Sequence, residues 1–327
     1  MIDLSIDYMG LKLKNPIIVG SSGLTNSVEK VKELERFGAG AVVLKSLFEE
    51  QILAESAHSI SKDESYGYDV HDYISNYVRN NTLGEYLQFI RKCKAEVKIP
   101  IIASINCISG KEWTDFAKKI EDAGAHALEI NISLLPSDHE IESAVNEEMY
   151  FFIIDKIRNT VKIPVSLKMS PYSSGLAHLI KKISWTKNVD SIVLFNRYYN
   201  PDIDIDKMEI ISSGVFSKAE DLSTSLRWIA LSSKVVDIDL VATTGIHSGA
   251  AVIKQILAGA KAVEIASVLY KNGPDYLQAI LHEIEIWMEK QKYSSPNEFR
   301  GKMAFDPKSN KLGYERIQFM KYFGGIE

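Results

Sequence analysis

Five apolar runs in this 327-residue chain close on a polar residue: IIVGSS on Ser22, VVLK on Lys45, LEIN on Asn131, VSLK on Lys168 and IVLF on Asn196. A lysine or asparagine at the end of a buried strand costs desolvation free energy unless it meets a partner. Several strands ending this way point to a shared ligand at the carboxyl ends of a parallel sheet. Lys45 follows Val42-Val43-Leu44 and Lys168 follows Val165-Ser166-Leu167 in β-runs that a barrel buries, and a buried ammonium ion needs compensation. A cation there suits an electron-accepting ring such as the pyrimidine edge of a flavin, whose reduced form carries charge. Asn131 and Asn196 offer amides for ring or substrate carbonyl and imide groups, although a strand-end asparagine also caps turns.

The segment LVATTGIHSGAAVIKQILAGAKAVEIAS adds a second kind of chemistry. Thr243, Thr244 and Gly245 follow a strand, Ser248-Gly249 stand where its helix begins, and the next strand ends at Ala266-Ser267. In β/α barrels the loops after the seventh and eighth strands bind phosphate through backbone N–H groups at a helix N-terminus. The plain alternative is a turn with an N-cap. His247 in this loop is either an anion contact or a helix-start residue. His58, His71, His126, His139 and His178 make no metal-ligand spacing with one another or with carboxylates, so no metal is expected. No nucleophile elbow is present.

The elements that must position these residues follow from a quasi-repeat. FGAGAVVL at 37–44, DAGAHALEI at 122–130 and LAGAKAVEI at 257–265 each close a helical pattern on Gly-Ala and pass directly into a β-run. KIPIIASI at 98–105 and KIPVSLKM at 162–169 open two further strands, with Pro100 and Pro164 at the start, where a missing N–H is tolerated. Eight strands are expected, beginning near 16, 41, 101, 127, 164, 191, 239 and 262. The helices between them are expected near 27–37, 83–96, 112–123, 142–160, 175–184, 220–232, 247–258 and 274–290. Eight β/α units predict an α/β fold of the (β/α)8 barrel type, as a single domain over 1–327, with a doubly wound open sheet as the rival. An N-terminal hairpin, IDLSIDY and LKLK around Met9-Gly10, is expected to plug the barrel floor. Long connections at 47–82 and 197–219, after the second and sixth strands, are expected to cover the site.

Composition narrows the partners. A net charge of −5 argues against nucleic acid. Cys93 and Cys107 are too few for a disulfide framework or a metal cluster. The N-terminus lacks a signal-peptide core, and no apolar run is long enough to span a membrane. The expectation is a cytoplasmic protein acting on a small molecule, with no membrane partner.

NPIIVGSSG, VVLKS, LEINIS, VSLKMSPY and TTGIHSG…LAGAKAVEIAS, in this order and over nearly the whole chain, resemble the dihydroorotate dehydrogenase family, most closely its soluble class 1 branch. The resemblance implies a (β/α)8 barrel that binds FMN at the strand carboxyl ends, forms a homodimer and serves pyrimidine biosynthesis. Carried over by motif, Ser22, Gly23, Lys45, Ser46, Asn131, Lys168 and Gly214 belong to the cofactor site. Thr244-Gly245 stand where the family has Gly-Gly, and Ala266-Ser267 where it has Gly-Thr, at the FMN phosphate. Lys45, Asn131 and Asn196 fall on the substrate side.

That side departs from the pattern. In the family loop Asn-x-Ser-Cys-Pro-Asn or Asn-x-Ser-Ser-Pro-Asn the fourth residue is the base, and NISLLPSD puts Leu134 there, or Leu135 with a shift of one. Leucine accepts no proton. SYGYDVHDY replaces the substrate loop after the second strand, and the Asn-Ser pair of the sixth strand becomes Asn196-Arg197, introducing a cation. Lys168 and Ser133 are the catalytic candidates, with Cys107 or a loop tyrosine also open as a proton relay. The expected activity is FMN-dependent oxidation of a CH–CH bond in dihydroorotate or a related dihydropyrimidine. A second electron acceptor would reoxidise the flavin, and any iron–sulfur relay to it would need a separate electron-transfer partner, because this chain has no cysteine cluster. The alternatives are a non-catalytic flavin- or metabolite-binding barrel, or a flavin oxidoreductase with another substrate, including one of dihydrouridine-synthase type.

Overall fold

The computed structural model of the chain describes residues 2–48, 83–107, 113–198, 200–212 and 214–306, with 308 and 314. Most of the expected covering segment at 47–82 lies outside the described residues.

Residues with period-two and apolar β-patterns form β1 (Ile6–Tyr8), β2 (Leu11–Leu13), β3 (Ile17–Val19), β4 (Ala41–Val43), β5 (Leu47–Phe48), β6 (Ile101–Cys107) and β7 (Ala127–Ile132). They continue in β8 (Val165–Met169), β9 (Ser191–Leu194), β10 (Pro201–Asp204), β11 (Glu209–Ser212), β12 (Asp239–Thr243) and β13 (Ala262–Ile265). The helices are α1 (Val28–Arg36), α2 (Leu83–Glu96), α3 (Trp113–Asp122), α4 (Ser143–Thr160) and α5 (Leu176–Thr186). After them come α6 (Leu222–Ser232), α7 (Gly249–Ala258), α8 (Ser267–Asn272) and α9 (Tyr276–Gln291).

The parallel strands pair in the order β4-β3-β13-β12-β9-β8-β7-β6, and β6 returns to β4. The sheet is therefore closed, which makes the fold a (β/α)8 barrel and excludes the open-sheet rival. Right-handed crossovers need helices to cover the outer faces, and the apolar stripes do so. In α1, for example, Ser27 caps the first turn by accepting from Lys30 N, and Val28, Val31 and Leu34 are buried. The quasi-repeat glycines Gly38, Gly124 and Gly259 all adopt positive φ, at 107°, 95° and 121°. Each lets a helix stop and the chain turn directly into a strand. At Gly40 a Cβ would lie 2.3 Å from Asn15 O, so the strands there tolerate no side chain.

The hairpin β1–β2 is antiparallel, turned by Met9 and Gly10 at φ 50° and 77°. Its Ile6, Tyr8, Met9 and Leu13 pack against Ile18, Val43, Ile102, Ala127, Val193 and Val241, which line the lower lumen. Met9 N also donates to Asp239 Oδ2 at 3.0 Å, at the amino end of β12. The hairpin thus fills the floor that the sequence assigned to it.

The connection after the sixth barrel strand is not a plain loop. Residues 201–212 form the hairpin β10–β11, and Asp204 Oδ1 accepts from the N–H groups of Asp206 and Lys207 to fold its turn. Ile203, Ile205, Met208 and Ile210 are exposed along it. The alternation PDIDID…EII carried this signal but is masked by turn-forming residues. Among the described residues no helix is long and apolar enough to cross a membrane.

Tyr8 is 1% exposed beneath the barrel. Tyr8→Ala should lower unfolding stability by about 3–5 kcal/mol, measured by denaturant unfolding, because the cavity cannot collapse between strands.

Candidate functional site

Strand register places Asn106, Asn131, Lys168 and Val193 side by side across four neighbouring strands. Side chains alternate across a strand, so on β6 and β7 this row faces the lumen four residues beyond Ile102 and Ala127, which meet the hairpin. One row lower, Ser104, Glu129 and Ser166 are aligned, while Glu264 enters from β13 beside Thr243. Lys168 Nζ donates to Glu129 Oε1 at 2.9 Å and to Glu264 Oε2 at 2.5 Å. All three are buried, at 8% exposure for Lys168, 1% for Glu129 and 2% for Glu264. Burial pulls the Lys168 ammonium down, but the two carboxylates outweigh it and hold the group above the ordinary lysine range. Lys168 is therefore a permanent cation.

Above this trio opens a cavity of about 450 Å³, within the usual range for small-ligand sites. Ser22, Gly23, Lys168, Asn196, Arg197, Thr244, Gly245, Glu264, Ala266 and Ser267 are among its walls. The loops after β3, β9, β12 and β13 thus converge on one space. Ser22 caps the turn over 23–25, with its Oγ accepting from Leu24 N, and Tyr270 backs Gly23 so closely that a Cβ would fall 2.7 Å from the phenol oxygen. Thr244, where the resemblance leads one to expect glycine, holds φ 74°, and Gly245 follows at 77°. A β-branched residue in that region is strained, a state that persists where surrounding structure enforces it. A Cβ on Gly245 would meet Leu222 N at 2.1 Å.

Ser267 Oγ accepts from Ser217 N at 3.0 Å, and Lys271 Nζ donates to Ser217 O at 2.7 Å. Ser217 Oγ lies 2.9 Å from His247 Nε2. Burial, and then Lys271, hold His247 below its usual range, which keeps the imidazole neutral. His247 therefore organises the loop.

Of the other candidates, Asn196 lines the cavity, whereas Lys45, Ser46, Asn131, Ser133 and Gly214 are not among its lining residues. Ser46 Oγ bridges Ser21 Oγ at 2.9 Å and Ser104 Oγ at 2.8 Å, tying the segments after β3 and β4 to the middle of β6. Lys45 N donates to Thr25 O at 3.1 Å. Asn196 N is held by Met169 O. Its Nδ2 donates to Ser133 Oγ at 2.8 Å, and Ser133 Oγ donates to Tyr198 Oη at 3.2 Å. Tyr172 packs edge-on against Tyr198. Leu134 is half-buried against the apolar core and Leu135 is exposed. The Cys107 side chain lies outside the described residues, whereas burial pushes the Cys93 thiol up to about 12.

Arg197, the cation expected beside Asn196, stands at the cavity wall with its guanidinium bonded to the neighbouring loop. Nη1 donates to Val215 O and Nη2 to Gly214 O and Phe216 O, with Asp221 3.9 Å from Nε. The charge is engaged by the loop at 214–216, and Gly214 meets Arg197 through its carbonyl.

Sequence reasoning missed Asn106, Glu129 and Glu264. KIPIIASIN is a sixth apolar run ending on asparagine, and the acids of ALEI and AVEI sit inside the repeat, where an apolar residue is the norm. Among the described residues, neither Asn106 Oδ1 nor Asn131 Oδ1 has a hydrogen-bond partner although both are buried. Such orphans call for a ligand or water. No group of three or more His, Cys, Asp or Glu among the described residues could hold a metal ion.

A family model described as dihydroorotate dehydrogenase matches residues 3–288. The chain belongs to the dihydroorotate dehydrogenase family. Similar proteins include one from Thermoplasma volcanium named dihydroorotate dehydrogenase B (NAD(+)), catalytic subunit, which is 27% identical over 92% of this chain and 98% of its own length. A protein of the same name from Thermoplasma acidophilum is 26% identical over 92% and 99%, and one from Methanocella arvoryzae 28% over 80% and 86%. The family's barrel is present in full, and the alignment of Lys168 with Asn131 and Asn106 follows from its register.

Gly245→Ala should cost more than about 1–2 kcal/mol in thermal or denaturant unfolding, since the left-handed φ and the contact with backbone at Leu222 both oppose it. His247 binds protons less readily in the folded protein than at its ordinary value of 6.5. The unfolded chain then takes up more protons below that pH, so stability should fall as pH drops through 6.5. His247→Gln keeps an acceptor for Ser217 and should make that fall shallower in melts run from pH 7.5 to 5.

Proposed function

We propose that this chain is an FMN-dependent oxidoreductase that oxidises dihydroorotate or a close dihydropyrimidine. The cavity between Lys168 and the Thr244–Gly245 turn, at the carboxyl end of a barrel of this family, carries the reading. The donor set fits the cofactor. Backbone N–H groups and hydroxyls of Thr244, Gly245 and Ser267 suit a phosphate. The orphaned amide oxygens of Asn106 and Asn131 suit ring N–H groups, and Lys168 suits the electron-rich edge of a reduced ring. Ser22 and Gly23 would flank the same group.

When bound, FMN supplies the two-electron acceptor that takes a hydride from substrate. The chain's own residues handle the proton. Leu134 accepts no proton, so Ser133 is the proposed acceptor: its Oγ takes the proton from the neighbouring substrate carbon as its own hydroxyl proton passes to Tyr198 Oη, and the phenolic proton of the half-buried Tyr198 leaves to solvent water. Asn196 fixes Ser133 for that transfer through its 2.8 Å bond. Lys168 holds positive charge beside the reacting ring throughout. The two Thermoplasma relatives are named as catalytic subunits, which supports a separate protein as the route for reoxidation.

The purified protein should be yellow or become so with FMN, and anaerobic dihydroorotate should bleach it. Failure to bind FMN on reconstitution would sink the flavin reading. Binding without bleaching by any dihydropyrimidine would favour the non-catalytic barrel, for which the apolar setting of Leu134 speaks. Ser133→Ala should bind FMN normally but slow anaerobic reduction by about 100-fold or more, read by stopped flow.

A further inference from the structure

We infer that Glu129 and Glu264 share one proton at neutral pH and act together as the positioning pair for Lys168, so that the trio sits beneath the cavity with no net charge. Two carboxylates bonded to one nitrogen are themselves close neighbours, and all three groups are out of water. Fully ionised, the trio would hold an excess negative charge in the lumen, a cost of several kcal/mol after relaxation. Among the described residues no second cation is paired with either carboxylate. One proton removes the excess, as in carboxylate dyads whose members cannot both ionise.

The surroundings agree. Burial, followed by the charge of Glu264, raises Glu129 well above the usual carboxylate range. Gly20 covers Glu264, where a Cβ would lie 3.3 Å from Oε2. Among the described residues, the titratable groups facing the pair from other elements are Tyr8 of β1, bonded to Ser166, and Tyr86 of α2, bonded to Ser104 O. Burial raises both phenols, so both stay neutral and supply no compensating charge. The Lys168 ammonium is thereby aimed and held charged by one carboxylate while the other carries the proton.

Infrared spectra of the ligand-free protein at pH 7 test the shared proton without any flavin. Wild type should show the carbonyl stretch of a buried carboxylic acid, lost in Glu129→Gln and equally in Glu264→Gln, because either remaining carboxylate ionises against Lys168. A wild type without the band, or a band that survives in either variant, overturns the inference. The second readout rests on the FMN reading above. With FMN bound, each Gln variant should keep the midpoint potential, since the net charge is unchanged. A raised potential in either variant would mean that a negative charge had been removed, and would overturn it. Failure of FMN to bind wild type counts against the flavin reading alone and leaves the infrared result to decide.

Discussion

One ammonium buried between two carboxylates in the upper lumen sets the terms for the rest of the structure. A barrel interior of this size is ordinarily filled by apolar side chains in layers. Here the lower layers follow that rule, with Tyr8 and its neighbours sealing them from below. The upper rows are polar instead, and Glu129, Lys168 and Glu264 satisfy one another. That arrangement is stable only because three different strands hold the groups in register. It leaves a fixed positive charge facing the cavity.

Everything above the trio is built to be approached by a ligand. The Thr244–Gly245 turn keeps a strained backbone, and Gly245 allows α6 to press against it. Ser217, Ser267, His247 and Lys271 hold one another at the far wall. Arg197 pins the carbonyls of the loop after β9. These contacts rigidify the walls, while Asn106 and Asn131 retain unpartnered oxygens. A rigid wall with a few unmet polar groups is what ordered binding requires, because little conformational freedom is then lost on binding.

On the reading proposed above, the proton-accepting role that Leu134 cannot fill passes to its neighbours. Leu134 packs into the core and offers no acceptor. Ser133, one residue earlier, instead points into a hydrogen-bonded chain with Asn196 and Tyr198. Asn196 and Ser133 were visible as candidates because each follows an apolar run or a recognisable loop. Tyr198 was not singled out, since a tyrosine in a polar loop carries no local sign of its partner 65 residues away.

The chain by itself determined the barrel, because eight apolar β-runs, amphipathic helices and glycines at helix ends are all local signals within one or two turns of each element. It also determined the cationic strand end at Lys168 and the glycine-bearing turn at 244–245. Tertiary structure alone decided what those residues meet. Lys168 finds its carboxylates 39 and 96 positions away in sequence, Arg197 at the cavity wall bonds the carbonyls of residues 214–216, and residues 201–212 fold into a hairpin. Each outcome depends on register and closure of the sheet. Those are properties of strands paired across the whole chain, and no single segment contains them.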